Sequence, residues 1–515
     1  MSLNESVNRI VTGSGVIFAG TISGLLLNIL IKGVLTRNLS QTDFGTYSLA
    51  LTIISLTGAI ATLGLHEGVP RYIAYFRGKK EDHKIQEIVI SGLVMGLLAG
   101  VVAMIVSPIA FQHLAAGMFD TQDNITSVIK IMIFAIPLTI FLNIAVAIYR
   151  GFDRTNVNMY FYDVIRPVSL WAFVSLAVFA GVSLHGFVVA DLLSMVFTFG
   201  LMVMYFVKRP PFKPELKVSF SEPTKQLVKY SFPLLISATL LNLMTWTDTI
   251  MLGYFKSSQI VGVYSAVYPL VNFLTIIITA MGFVYIPVAS RLWGEGRRDV
   301  LGSLYQIVTK WCFILSFPIF VLMFVFPEAV LTMLYGAEYA MGATVLRILS
   351  LGFITNAYFG FNYHTIMAVG DSGFLMRCST ASAVVNVVFN FLLIPHFGML
   401  GAAAASAASF ASIEILMTIR AWRTHRMHPF TPAYRKFTLI CLSVISVMLL
   451  IKSVLPTVNL IWAYLPFIVL YFAICKYSGV IDDGEKTIAT EVRTNVRTNV
   501  SRRISVFVPK TIRNL

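Results

Sequence analysis

Four ionisable residues stand out because they lie within or at the ends of long apolar runs: Lys32, Lys130, Asp248 and Arg347. A charge inside a membrane helix costs about 2.5–3.5 kcal/mol on insertion scales, so each calls for a partner or a purpose. Lys130 and Arg347 are 217 positions apart. Two cations at matched depth suit a diphosphate, since arginine offers a bidentate fork and lysine a point charge. Lys32 shares a helical face with Thr21, Gly24 and Asn28, and Asp248 with Ser237 and Thr245. Under the same shift of 217, Lys32 and Asp248 fall one residue apart, which places them at similar depth, facing a central cavity and able to pair. A snorkelling lysine and an interfacial aspartate are the alternative, as is snorkelling of Lys130 and Arg347, and the residues alone leave these open.

A second group could gate or couple. Glu67 and Arg71 stand at i,i+4, a spacing that allows a local ion pair, although Pro70 lies between them. Asp163 and Arg166 read the same way. Asp191 and Glu414 are single acids in apolar spans, each suited to proton or sodium coupling, and His364 could carry a proton. The bland readings are a structural ion pair for Glu67 and a packing role for His364.

The elements that hold these residues are apolar helices. Of the 515 residues 57% are hydrophobic and 12% charged, with a mean hydropathy of +0.79. A soluble chain carries about a quarter charged residues. Fourteen candidate spans run over 11–35, 45–64, 86–111, 126–149, 164–182 and 185–207, then 230–254, 262–289, 303–327, 341–368, 376–395 and 398–419, then 437–455 and 459–477. The implied fold is all-α and integral to a membrane, because helices satisfy their own backbone groups in lipid. The alternating short segments of a β-barrel are missing.

Repeat-related matches support a duplicated unit. A shift of 217 aligns Leu35 with Leu252, Gly45 with Gly262, Tyr47 with Tyr264, Ser48 with Ser265 and Pro70 with Pro287. With two residues of slippage, Pro108 meets Pro327 and Gly151 meets Gly370. The expected organisation is two pseudo-symmetric six-helix lobes, 1–212 and 213–428, a helix pair at 429–478, and a basic tail at 479–515. Such a parallel repeat frames a central site. Gly20–Gly24 and Gly92–Gly96–Gly100 read as close-packing helix faces.

The net charge is +15. The cations sit in alternate loops, such as Arg71 to Lys84, Arg150 and Arg154, Lys208 to Lys225, Arg291 to Arg298, and Arg420 to Lys436, whereas the other set holds Arg37, Lys256 and Lys452. That asymmetry predicts that both termini are cytoplasmic, with membrane lipid and not nucleic acid as the partner of the basic loops. The first apolar run is too long for a cleavable leader. Cys312, Cys378, Cys441 and Cys475 lack ligand-like spacing and read as core thiols, so no metal or other cofactor is expected. Phosphate-binding, zinc-protease and nucleophile-elbow motifs are missing, which argues against an ATPase or an enzyme of envelope-glycan assembly.

Several stretches carry a family likeness: Leu35-Thr-Arg37-Asn-Leu-Ser-Gln-Thr-Asp43-Phe-Gly45-Thr-Tyr47-Ser, then Gly64 to Tyr75, Tyr149-Arg-Gly151-Phe-Asp153, Val261-Gly262-Val-Tyr264-Ser and Ala368-Val-Gly370-Asp371. The chain resembles the polysaccharide-biosynthesis flippases of the multidrug/oligosaccharidyl-lipid/polysaccharide exporter superfamily. The resemblance implies a transporter that carries an isoprenoid-linked oligosaccharide to the outer leaflet by alternating access. It also implies a cationic cavity to which Lys32 and Arg37 contribute, and a lipid-facing groove on the last two helices. A monomer with a functional link to glycosyltransferases is expected. An ion-coupled multidrug exporter of the same superfamily is the runner-up, though such exporters usually have twelve spans.

Overall fold

The computed structural model describes residues 22–115, 122–154, 156–211, 221–454 and 460–480. Every regular element among them is helical. Residues 22–38 form α1. There follow α2 (Gln41–Ala61), α3 (Leu65–Lys79), α4 (Asp82–Ala115), α5 (Gln122–Met132), α6 (Ala135–Gly151), the single turn α7 (Asn156–Asn158), α8 (Arg166–Phe179) and α9 (Leu184–Lys208). The second half holds α10 (Glu222–Phe255), α11 (Ser258–Val271), α12 (Ile276–Gly294), α13 (Arg298–Val325), α14 (Pro327–Tyr335), α15 (Ala343–Phe359), α16 (Asn362–Ala368), α17 (Ser372–Phe397) and α18 (Met399–His425). Two further helices, α19 (Pro432–Val454) and α20 (Leu460–Tyr477), close the order.

Among the described residues nine helices are long and apolar enough to cross a membrane, and eleven spans result if two bent pairs each count as one. The eleven follow the expected order, and α1, α10 and α20 stand where the first, seventh and fourteenth spans were expected. Both bends have a local cause. The 43° bend between α5 and α6 precedes Pro137, and the 50° bend between α11 and α12 follows Pro269. Proline lacks the N–H that would bond the carbonyl four residues back. Gly20 and Thr21, the side chains of Asn124 and Ser237, and the tail at 481–515 lie outside the described residues.

Apolar side chains face outward as well as inward. Leu98, Val102 and Ile105 of α4, Phe391 and Leu392 of α17, and Val469 and Leu470 of α20 are all exposed. Lipid is the solvent that tolerates such a surface. The glycine stripe of α4 packs as expected: a Cβ on Gly96 would lie 2.0 Å from Ile144 Cδ1, and one on Gly100 would lie 3.0 Å from the Pro137 backbone.

The first half of the chain meets the second where α2 crosses α11, the helices that the shift of 217 aligns. A Cβ on Gly45 would fall 1.6 Å from the Ser258 carbonyl oxygen, and one on Gly262 would fall 2.2 Å from that of Gln41. Only glycine allows this backbone approach. Gln259 Nε2 donates to Gln41 Oε1 beside it at 2.8 Å. At the other, arginine-rich end of the bundle, Arg71 of α3 lies 3.7 Å over the Tyr230 ring of α10. There Glu87 of α4 accepts from Ser221 N, Ser221 Oγ and Thr224 Oγ1 at 2.7–2.9 Å. Ser221 is the N-cap of α10 and makes no capping bond of its own. The Glu87 carboxylate therefore supplies the acceptor and the negative charge that a helix N-terminus favours.

Candidate functional site

Residues of α1, α2, α10 and α11, with Leu170 of α8, line a cavity of about 280 Å³. Lys32 is the charged residue among its described lining. Its ammonium donates to the Ser265 carbonyl at 2.8 Å, crossing from the first half to the second. That carbonyl is available because Pro269 stands four residues further along α11 and has no N–H to give it. A cation thus sits on a proline-freed acceptor in the wall of a central cavity.

Two lining tyrosines lead to buried acids. Tyr47 of α2 and Tyr264 of α11, equivalent under the repeat, donate to Asp191 Oδ2 at 2.9 Å and Asp248 Oδ2 at 2.6 Å. The two acids are compensated differently. Arg166 Nη2 meets Asp191 Oδ1 at 2.5 Å, and Arg166 also donates to Ser194 Oγ. Asp248 is held by neutral donors instead: Asn390 Nδ2 at 2.6 Å, Asn386 Nδ2 at 3.3 Å and Ser406 Oγ at 2.5 Å. Several donors around one carboxylate replace part of its lost hydration.

These contacts correct parts of the sequence reading. Lys32 faces the cavity, but Asp248 is fully buried behind Tyr264 and does not pair with it. The α10 residues that reach the cavity are Thr245, Trp246 and Thr249, because Asp248 points into the second half. Lys130 is exposed on α5, outside the described lining. Arg347 also lies outside it, donating to Glu328 Oε1 at 2.7 Å and to the Phe324 carbonyl at 3.1 Å. Neither residue is therefore among the described lining of this cavity, where the diphosphate pair was expected. Arg37 lines a separate groove of about 450 Å³ between α1, α8 and α14 and donates to the Met333 carbonyl at 2.6 Å.

The expected Glu67–Arg71 pair is not formed. Glu67 meets Arg150 of α6 at 3.2 Å, while Arg71 turns to Tyr230. Arg150 Nη2 also takes the His66 carbonyl at 2.6 Å, the acceptor freed by Pro70. Likewise Arg166 pairs with Asp191 and not with Asp163. His364 packs on Phe361 at 5.2 Å, and its Nδ1 has no hydrogen-bond partner among the described residues. Glu414 accepts amide protons from Asn356 and Asn362.

The sequence reading missed Glu87, the Arg166–Asp191–Tyr47 network and the role of in-helix prolines. A signal was present for the last. Three freed carbonyls, His66, Ser265 and Ile314, lie four residues before Pro70, Pro269 and Pro318 and receive Arg150, Lys32 and Tyr471. Among the described residues, no group of three His, Cys, Asp or Glu side chains is placed to hold a metal ion.

The polysaccharide biosynthesis protein family matches residues 10–293, more than half of the chain. This chain belongs to that family. The MatE family also matches, over residues 233–392. Among relatives of this polysaccharide biosynthesis protein, the probable low-salt glycan biosynthesis flippase Agl15 of Haloferax volcanii is 22% identical over 390 residues, covering 75% of this chain and 78% of that one. The putative O-antigen transporter of Shigella flexneri is 24% identical over 395 residues, covering 73% and 89%. Among solved structures, the lipid II flippase MurJ in an inward closed conformation superposes with a TM-score of 0.72 at 14% identity, covering 90% of this chain and 98% of that one. The fold is therefore that of a membrane transporter.

Proposed function

We propose that this protein moves an isoprenoid-linked oligosaccharide or polysaccharide precursor from the inner to the outer leaflet of the plasma membrane by alternating access. The observation that carries this is Lys32, a cation in the cavity wall at the interface of the halves, resting on a carbonyl that a proline leaves open. A phosphate oxygen is a stronger, charge-assisted acceptor than that carbonyl. A diphosphate headgroup entering the cavity takes over the ammonium and releases Ser265 on α11, the helix that carries Gly262 into the crossing with α2. Substrate binding is thereby linked to the contact that seals one end.

The cavity measures about 280 Å³. It fits part of a headgroup, so loading requires the halves to separate. The moving bodies are taken as 1–212 and 213–428, with 429–478 as an accessory pair. Helices α19 and α20 enclose an apolar groove of about 590 Å³, with Lys436 at one end and Leu439, Val447 and Leu470 along it. That groove suits the isoprenoid tail. The asymmetry of the basic loops supports a topology with both termini, including the tail at 479–515, on the cytoplasmic side, where a glycosyltransferase would supply the substrate to a monomer.

The family relationship and the names of relatives support this reading over the multidrug exporter. The test is deletion of the gene in its host, with mass spectrometry of lipid-linked glycans and leaflet-specific lectin access. Completed glycolipid accumulating on the cytoplasmic side, with loss of surface glycan, is expected, and Lys32→Ala should reproduce it. Unchanged glycans accompanied by new drug sensitivity would overturn the proposal in favour of the exporter.

A further inference from the structure

Glu414 sits across a break in the helix opposite it. Helix α15 stops at Phe359, Gly360 follows with φ +73°, and α16 begins at Asn362. The Glu414 side chain, on α18 and 3% exposed, reaches both sides of that break. Asn356 Nδ2 on α15 donates to Oε1 at 2.7 Å, and Asn362 Nδ2 on α16 donates to Oε2 at 3.3 Å. Asn362 Nδ2 also reaches Thr418 Oγ1 at 2.8 Å. Tyr305 of α13 donates to Asn362 Oδ1 and to the Phe359 carbonyl, tying the same two ends together.

The comparison with Asp191 separates the two acids that the sequence left equivalent. Asp191 has a guanidinium at 2.5 Å, whereas Glu414 has no ion-pair partner among the described residues. A buried carboxylate without a cation costs far more in its charged form than in its neutral form. We infer that Glu414 is a proton-binding site whose occupancy sets the bend between α15 and α16: the carboxylate staples the two helices through Asn356 and Asn362, and the carboxylic acid releases one of them. The step is a protonation alone. One O–H bond forms with a proton taken from water, and no electrons change hands. The two amides use different oxygens, and protonation turns one of these from a charged acceptor into a hydroxyl that accepts far more weakly. The amide facing that oxygen, the longer Asn362 contact at 3.3 Å, is the one set free.

A path from the staple to the cavity is visible. Phe353 lies one turn before Asn356 on α15 and meets Tyr268 edge-on at 5.7 Å, and Tyr268 lines the cavity. Movement of α15 therefore reaches the cavity wall. The other titratable groups around Glu414 come from each packed element. Tyr305 of α13 shares Asn362, and Tyr285 of α12 bonds Thr365. His364 of α16 lies against Gly282, and Cys378 of α17 is buried. On α10 Asp248 is held by Ser406, two turns from Glu414 on α18, and on α11 Tyr264 bonds that same Asp248. The Asp371–Arg420 pair, at 2.8 Å, lies one and a half turns further along α18.

The staple matters to glycan transport only on the reading proposed above, but its test needs no glycan, so the two fail separately. The full chain in lipid nanodiscs is followed by infrared pH titration and by hydrogen exchange of residues 353–368, corrected for intrinsic rates. The wild type should show a carboxyl band that titrates, and exchange across the break that rises as pH falls. Glu414→Gln should lose that band and exchange at every pH as the protonated wild type does. Asp248→Asn should keep both signals. If Glu414→Gln does not fold, Asn356→Ala serves, because removing one donor to the ionised form should raise the titration midpoint by about one pH unit, a tenfold change. An unaltered titration in Glu414→Gln, or exchange that follows sodium at fixed pH and not pH itself, would overturn the inference.

Discussion

Glu87→Gln removes the charge from the contact that joins the halves at the arginine-rich end. The carboxylate accepts the Ser221 backbone N–H at 2.9 Å, the Ser221 hydroxyl at 2.7 Å and the Thr224 hydroxyl at 2.8 Å. Hydrogen bonds to a charged group contribute about 1.5–3 kcal/mol each, and a negative charge at a helix N-terminus adds about 0.3–1 kcal/mol. Glutamine keeps one acceptor oxygen, and the two hydroxyls can reverse their roles, whereas the backbone N–H cannot. A net loss of about 2 kcal/mol follows, which shifts a closed-to-open ratio about 30-fold. A protein that is ~1% open at this end becomes about one-quarter open. Spin labels at the exposed positions 83 and 225, on α4 and α10, read the distance between the halves by pulsed electron resonance, with the four buried cysteines left unlabelled. A second, longer distance is expected in Glu87→Gln. Glu81→Gln, which removes only a local pair with Lys84, should not show it. A single unchanged distance in a folded Glu87→Gln protein would refute the reasoning.

Four further outcomes are expected. Lys32→Ala should lower glycan transport at least about tenfold, the worth of one charge-assisted bond, whereas Lys130→Ala should leave it within about twofold; the reverse order in a proteoliposome assay would remove Lys32 from the site. Gly45→Ala should cost about 1–3 kcal/mol or force α2 from α11, since its new methyl meets the Ser258 carbonyl, and thermal unfolding in detergent with labels across the crossing would register either effect. Arg166→Gln should destabilise the fold by about 3–5 kcal/mol by stranding Asp191, and Asp191→Asn in the same chain should restore much of the loss in melting temperature. Burial raises the Glu328 carboxyl, but Lys452 and Arg347 outweigh it and hold the group below its ordinary value of 4.5. A depressed carboxyl stabilises above its unfolded value and loses that effect as pH falls through the folded one, so Glu328 should contribute about 1 kcal/mol or less to the drop in thermal stability below about pH 4.5, and Glu328→Gln should make that drop smaller by this amount.

The sequence by itself determined the class of solvent and the order of the helices. Runs of apolar residues longer than a bilayer is thick can be satisfied in few ways, so hydropathy alone separates the spans. Glycine and proline impose local backbone demands wherever they stand, so their spacing carries information that apolar residues do not. Gly45 and Gly262 were matched in the sequence, and they meet in space because each permits the other's approach. Lys32 stood out as a lone cation on a polar helix face, but the residues left open whether it turns to a cavity or snorkels to the surface.

Partner choice was decided only by the tertiary structure. Glu67 had Arg71 at the right spacing and took Arg150; Arg166 had Asp163 and took Asp191; Asp248 had Lys32 at matched depth and took two asparagines, a serine and a tyrosine. Spacing along one helix limits what can touch within it but says nothing of what a neighbouring helix presents. Each choice depended on which way a helix is rotated about its axis, and packing against the neighbours sets that rotation. The same cause left Asp191 and Glu414 alike in sequence and unlike in the fold, because a guanidinium faces one and two amides face the other.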